Sequence, residues 1–122
     1  MKKVLVVDDE KDIREVIRNN LEKNGYIARA AANGAEAVEI CKLGGFDLVI
    51  MDIVMPQLNG YEACEKLKEN ATTRNVPVLL LTAKDLDTKG ISKHYEELDV
   101  AGYLAKPSTI QELLDKVRSI IG

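Results

Sequence analysis

Four stretches of this sequence set chemically capable groups at the ends of short apolar runs. Asp8-Asp9-Glu10 follows Val4-Leu5-Val6-Val7, and Asp52 follows Leu48-Val49-Ile50-Met51. Thr82 follows Leu79-Leu80-Leu81, and Lys106-Pro107 follows Gly102-Tyr103-Leu104-Ala105. Brought together, they would assemble three or four carboxylates around one hydroxyl and one ammonium. Carboxylates held that close repel one another and lose hydration, so the cluster calls for a cation. Oxygen ligands from a few carboxylates, with waters retained, suit Mg²⁺ better than Zn²⁺. An incomplete protein cage leaves coordination positions for a phosphate. Lys106 could supply a point charge to one phosphate oxygen and Thr82 a hydroxyl donor to another. Phosphoryl transfer proceeds by positioning and charge neutralisation of this kind. A carboxylate can itself be the nucleophile, giving an aspartyl phosphate. Asp52 is the candidate acceptor because it stands alone on a central strand; Asp8 and Asp9 are better placed to hold the metal.

Taken singly, each signal is weak. An Asp-Asp-Glu run after a strand is more often a solvated turn or a helix cap, and Lys-Pro is ordinary punctuation. The Thr82 hydroxyl could be satisfied locally. Their joint occurrence, each at the C-terminal end of a strand in one chain, is what argues for a site.

The elements that must position them alternate strand with helix. Lys3 to Val7 is a β-branched apolar run that reads as a strand buried on both faces. From Lys11 to Asn24 the period becomes helical, with Ile13, Val16, Ile17 and Leu21 on one stripe and Gly25 as the stop. Tyr26 to Ala30 is a weaker strand. Asn33 with Glu36 resembles a capping box for a helix through Leu43, ended by Gly44-Gly45. Asp47 to Met51 is a third strand, and Asn59 with Glu62 looks like the cap of a helix from Tyr61 to Asn70. Val76 to Leu81 is the fourth strand, with Pro77 tolerable only near its beginning. A helix over Asp87 to Leu98, weakened by Gly90, precedes a fifth strand from Gly102 to Ala105. Ser108 with Gln111 is read as the cap of the last helix, whose stripe is Ile110, Leu113, Leu114, Val117 and Ile120. Five strands alternating with five helices imply an α/β fold, a doubly wound parallel sheet with helices on both faces. Right-handed crossovers place the loops after the strands on one edge, where such folds keep their sites.

At 122 residues the chain fits one compact domain, residues 1–122. Hydrophobic residues at 46% allow a real core, which aromatics at 4% force to be aliphatic. A net charge of −3 argues against a nucleic-acid-binding module, which would show a basic stripe. No apolar run is long enough to cross a bilayer, and the run after Lys3 stops at Asp8, too short for a signal peptide. Cys41 and Cys64 have neither disulfide-framework nor metal spacing and read as buried free thiols suited to a reducing cytosol. The single histidine, His94, is expected to pack rather than to react, as are Tyr26, Tyr61 and Tyr95; the Lys66, Lys68 and Arg74 group reads as a solvated face.

The stretches Val6-Val7-Asp8-Asp9-Glu10, Val49 to Gly60 around Asp52, Leu81-Thr82-Ala83 and Tyr103-Leu104-Ala105-Lys106-Pro107 resemble the receiver domains of bacterial two-component response regulators. The resemblance covers essentially the whole chain. It implies the flavodoxin-like strand order 2-1-3-4-5 and a signalling switch in which Asp52 takes a phosphoryl group from a histidine kinase, a phosphotransfer protein or a small phosphodonor. It implies that Asp9, Asp52 and the backbone carbonyl of Val54 bind Mg²⁺, with Asp8 helping through water. It further implies that Thr82 and Tyr103 form a switch pair, that Lys106 contacts the phosphate, and that the Lys106-Pro107 bond is cis. A cytoplasmic protein is implied, whose downstream target binds the face of helix four, strand five and helix five. Such a receiver catalyses its own phosphorylation and dephosphorylation without turning over an external substrate. Asn59 and the Asp99-Val100-Ala101-Gly102 segment depart from the family's commoner residues, the latter leaving that partner face less defined.

Three other functions compete. A haloacid-dehalogenase-type phosphatase also uses an aspartate nucleophile after a strand, but needs a second acid two residues on, where this chain has Val54. A flavin or nucleotide binder would need a Gly- or Thr-rich phosphate loop where this chain has Asp8-Asp9-Glu10. A non-phosphorylated pseudo-receiver would be expected to lack key side chains, and all are present. Val54 and Lys84, flanking the path of an attacking water, offer no base at neutral pH, so slow self-dephosphorylation is expected.

Overall fold

A computed structural model describes residues 1–52, 60–83, 101–106 and 109–122. The apolar runs form five parallel strands: β1 (Lys3–Val7), β2 (Ile27–Ala31), β3 (Leu48–Asp52), β4 (Val78–Ala83) and β5 (Gly102–Lys106). Their spatial order is β2-β1-β3-β4-β5, the order the resemblance implies. The helices among the described residues are α1 (Lys11–Lys23), α2 (Gly34–Cys41), α3 (Gly60–Glu69) and a C-terminal helix (Ile110–Ile121). The helix expected over 87–98 lies outside the described residues, as do Asn59 of the expected α3 cap, His94 and Tyr95.

Alternation along each strand divides the core in two. Val4, Val6, Leu48, Ile50, Leu79 and Leu81 pack with Ile17 and Leu21 of α1 and Leu113, Leu114 and Val117 of the C-terminal helix. Leu5, Val7, Val49, Met51, Val78 and Leu80 face the other way, onto Ala37, Val38 and Cys41 of α2 and Ala63, Cys64 and Leu67 of α3. Because both faces are covered, β3 is buried at every residue. The edge strand β2 is less covered, with Ala28 and Ala31 buried but Ile27 and Arg29 exposed. Both cysteines are free and buried, as expected.

Local chemistry sets the boundaries. At the end of α1, Gly25 has φ +90°. The Gly25 N–H donates to the Glu22 carbonyl at 3.2 Å and the Tyr26 N–H to the Leu21 carbonyl at 3.1 Å, the paired bonds of a Schellman stop. Asn33 caps α2, its side chain accepting from the Glu36 N–H at 2.8 Å. At the edge away from the site, the Lys3 N–H donates to Asp47 Oδ2 at 2.8 Å. The Asp47 N–H returns to the Lys3 carbonyl at 2.7 Å, pinning β1 beside β3.

Several expectations need correction. The fourth strand starts at Val78 rather than Val76, since Pro77 has no N–H for the ladder and contributes only its carbonyl, to the Val49 N–H at 3.0 Å. The second and third strands likewise begin one residue later than expected, at Ile27 and Leu48. The cap of the last helix is Thr109 with Glu112, not Ser108 with Gln111. The Thr109 hydroxyl accepts from the Glu112 N–H at 3.0 Å, and a carboxylate in the first turn suits the helix dipole where a neutral glutamine does not. Gln111 is spent on Asp115, at 2.8 Å. On α1, Val16 is 49% exposed: the inward ridge is buried at Ile17 and Leu21 and partly buried at Ile13, and a residue next to Ile17 sits about 100° around the helix.

Candidate functional site

The strand register brings the candidate residues to one edge of the sheet. Val7 of β1 lies beside Met51 of β3, and Asp52 lies beside Leu81 of β4. Leu81 is paired with Leu104, Thr82 with Ala105, and Ala83 with Lys106. Asp52 and Lys106 therefore end their strands at the same edge, with Thr82 one residue before the end of β4 and Tyr103 three residues before Lys106, beside Leu80. Val54, Lys84 and Pro107 lie outside the described residues.

Asp52 is the last residue of β3 and is only 7% exposed. Its position is set by the ladder that places Ile50 between Val6 and Leu79. Asp8, fully buried, follows β1 directly. Its N–H donates to the Ala31 carbonyl at 3.2 Å, carrying the β1–β2 ladder one residue further. Its carboxylate Oδ1 accepts from the Glu10 N–H at 2.9 Å, an aspartate turn that leads the chain into α1. Asp9, the middle residue of that turn, is exposed.

One carboxylate oxygen from each of Asp8, Asp9 and Asp52 lies within 4.8 Å of the others. Glu10, the fourth acid of the sequence reading, is not in that group; it contributes its backbone N–H to the turn. The donor set is oxygen only and carries up to three negative charges in a partly buried corner. These residues fit a hard divalent cation of the Mg²⁺ class, which takes a few carboxylates and retains waters.

Sequence reasoning missed one contact. From the first turns of α1, Arg14 Nη1 donates to the backbone carbonyl of Asp8 at 2.8 Å. Its signal in the sequence is a basic residue one helical turn after the acidic loop, where the Arg14 N–H bonds the Glu10 carbonyl at 3.0 Å.

A five-stranded doubly wound sheet with three convergent carboxylates at its carboxyl edge defines a class of acidic-site α/β domain. The chain belongs to the response regulator receiver domain family, whose pattern it matches over residues 4–118. It is 36% identical over 121 residues to the response regulator MprA of Mycobacterium sp. (strain KMS), covering 98% of this chain and 50% of that protein. The chain thus spans about half the length of the curated relatives it matches. Among solved structures, the chemotaxis protein CheY4 of Vibrio cholerae superposes with a TM-score of 0.90 at 28% identity, covering 98% of each chain. The receiver domain of the sensor histidine kinase PA1611 of Pseudomonas aeruginosa PAO1 superposes with a TM-score of 0.86 at 30% identity, covering 99% of this chain and 98% of that one. That structure holds a magnesium ion coordinated in its active site cleft.

Proposed function

We propose that this receiver is a Mg²⁺-dependent phosphoryl-accepting switch with Asp52 as the acceptor. The observation that carries the reading is the convergence of the Asp8, Asp9 and Asp52 carboxylates within 4.8 Å at the end of β3. Bound Mg²⁺ would neutralise charge on the carboxylates and on the transferring phosphoryl group. Asp9, Asp52 and the Val54 carbonyl would hold it, with Asp8 acting through water. An Asp52 carboxylate oxygen attacks phosphorus, forming the O–P bond of an acyl phosphate as the bond to the donor breaks. For a phosphohistidine donor the leaving imidazole nitrogen takes a proton from water. Asp52 is only 7% exposed, so little of its surface is open to bulk water. Lys106 ends β5, Thr82 lies one residue before the end of the neighbouring β4, and these are the groups we assign to the phosphoryl oxygens, with Tyr103 as the partner of Thr82 in the switch.

Phosphorylation adds about two negative charges, and the arrangement that pairs them best is favoured. A coupling of about 1–3 kcal/mol is typical for such switches. The phosphodonor would be a histidine kinase or a phosphotransfer protein, and the downstream target would bind the face that includes β5 and the C-terminal helix. No described helix is long and apolar enough to cross a membrane; a cytoplasmic setting is part of the proposal.

Intact mass after incubation with acetyl phosphate, with and without Mg²⁺, tests the reading. One phosphoryl group should appear on the wild type only with Mg²⁺ and never on Asp52→Ala. Uptake by Asp52→Ala equal to wild type would remove Asp52 from the role. No uptake by a folded, Mg²⁺-binding wild type, from acetyl phosphate or from a kinase, would favour a pseudo-receiver.

A further inference from the structure

Three Asn-Gly pairs occur in the chain, at 24–25, 33–34 and 59–60, and Asn59 lies outside the described residues. Such a pair can rearrange with water alone. The glycine nitrogen, once hydroxide has taken its proton, attacks the asparagine Cγ, an approach left open because glycine has no Cβ. The new C–N bond closes a succinimide ring while the Cγ–Nδ2 bond breaks, and the nitrogen leaves as ammonia with a proton from water. Water then opens the ring at either carbonyl, giving aspartate or isoaspartate. The net change is amide plus water to acid plus ammonia.

The two described pairs are held in opposite ways. Asn24 caps the C-terminal end of α1, and its side chain folds back along the helix, Nδ2 donating to the Asn20 carbonyl at 2.7 Å. The Gly25 N–H, which would have to become the nucleophile, is donated to the Glu22 carbonyl at 3.2 Å. Asn33 caps the N-terminal end of α2, and its side chain folds forward over the first turn, Oδ1 accepting from the Glu36 N–H at 2.8 Å. Gly34 opens that helix, so its N–H has no helix carbonyl to bond. The Asn24 Oδ1 also accepts one N–H, from Arg118 Nη2 of the C-terminal helix at 2.8 Å. Each bond draws charge from Cγ, so that effect does not separate the pairs. Exposure argues for the other site: Asn24 and Gly25 are exposed, whereas Asn33 is half-buried and Gly34 buried. Exposure only admits base, however, and Ala35 and Glu36 on the same turn of α2 are exposed. Ring closure needs Cγ against the nitrogen, so the direction of the side chain should decide.

We propose that Asn33 is a site of spontaneous deamidation and that Asn24, for all its exposure, is protected by its bonds within α1. Conversion would put a negative charge at the start of α2, two residues past Ala31, whose carbonyl holds the Asp8 N–H. An aspartate there still caps the helix. An isoaspartate inserts a methylene into the backbone before Gly34 and loses the cap.

Peptide mapping of the full chain, aged in mildly alkaline buffer with and without urea, reads each pair separately. In the folded chain, position 33 should convert about thirtyfold faster than position 24. That ratio is ~2 kcal/mol at tenfold per ~1.4 kcal/mol, the worth of the two hydrogen bonds that only Asn24-Gly25 must first break. In urea, where neither bond survives, the two rates should converge. Conversion at 24 as fast as at 33 in the folded chain would overturn the inference, since exposure would then be what decides. So would a position 33 that stays an amide in the folded chain over the time in which the chain in urea converts, because the cap would then be a shield.

Discussion

The end of β3 and the loop after β1 both deliver aspartates to the same corner, by different physics. Asp52 closes a strand whose five residues are all buried and whose neighbours on both sides are strands. Its position belongs to the whole sheet. Asp8 and Asp9 lie beyond the end of β1, where the ladder contributes one last bond, 3.2 Å long, to Ala31. Beyond that the loop is held by a side-chain turn and by Arg14. A group that must be attacked or must attack in line profits from the stiffer mounting. Groups that admit and release a cation can sit on the softer one. The two regions should therefore fail differently when perturbed: the strand end through loss of chemistry or of the fold, the loop through graded loss of cation affinity.

The largest expected effect is on chemistry. Asp52→Ala should abolish phosphoryl uptake at any Mg²⁺ concentration, read by intact mass, whereas loop variants should be rescued by raising Mg²⁺. Next in size is the mounting itself. Ile50 is fully buried two residues before Asp52 and shares its face of the strand. Ile50→Ala should cost about 2–5 kcal/mol of folding stability by leaving a cavity between Val6 and Leu79. Urea unfolding would show it, and a loss under ~1 kcal/mol would mean the sheet relaxes around the gap more easily than a close-packed core should.

The opposite face of the sheet offers a pH test of the same rigidity. Burial pushes the thiols of Cys41 on α2 and Cys64 on α3 up to about 11 from an ordinary 9.0. Both should stay protonated and resist iodoacetamide at pH 8 in the folded chain, yet react promptly in urea. Because the folded pKa is the higher one, their contribution to stability is intact below pH 9 and is lost as pH rises toward about 11. Rapid native-state labelling at pH 8 would show that the α2–α3 face opens locally and that β3 is held mainly from the other side.

How much of this could be read from the residues alone follows the same division. The sheet was readable because its strands are apolar runs of one type, Lys3–Val7 and Leu48–Asp52 above all, each stopped by an acid. Aspartates at strand ends need only the strand assignment to be located, so the meeting of Asp8, Asp9 and Asp52 was foreseeable. The strand order came from the family resemblance, since apolar periodicity does not say which strands are neighbours. What escaped was side-chain competition over short distances. Ser108-Gln111 and Thr109-Glu112 satisfy the same spacing rule one residue apart, and only the dipole and the pairing of Gln111 with Asp115 choose between them. Arg14 escaped because a helical arginine reads as a solvated charge until its target carbonyl is located in space.

On the loop, two perturbations grade the cation site. Mg²⁺ should stabilise the wild type against heat by ~2.7 kcal/mol at a hundredfold excess over its Kd. Asp9→Asn should weaken that binding about tenfold, ~1.4 kcal/mol, with the metal-free fold unaffected, since Asp9 is exposed. Titration calorimetry measures the first quantity and melting in EDTA the second. An Asp9→Asn protein with wild-type affinity would remove Asp9 from the ligand set.

The smallest effect separates the two jobs of Asp8. Its carboxylate carries charge into the acidic corner and also accepts the Glu10 N–H at 2.9 Å, shaping the entry to α1. Glu10 makes no side-chain cap for that helix, so the turn at Asp8 is the local device that aims it. Asp8→Asn removes the charge but keeps an oxygen able to accept from Glu10; Asp8→Ala removes both. The difference in metal-free stability between these two variants reports the turn bond together with the packing of this buried side chain, because each has lost the same charge. It should be at least about 1 kcal/mol in favour of the asparagine, the net worth of one intramolecular hydrogen bond. Their Mg²⁺ affinities should fall in the same order, since only Asp8→Ala loosens the segment from which Asp9 extends. Equal stability with equal affinity would show that the turn does not order the loop, leaving Arg14 and the Ala31 contact to hold it.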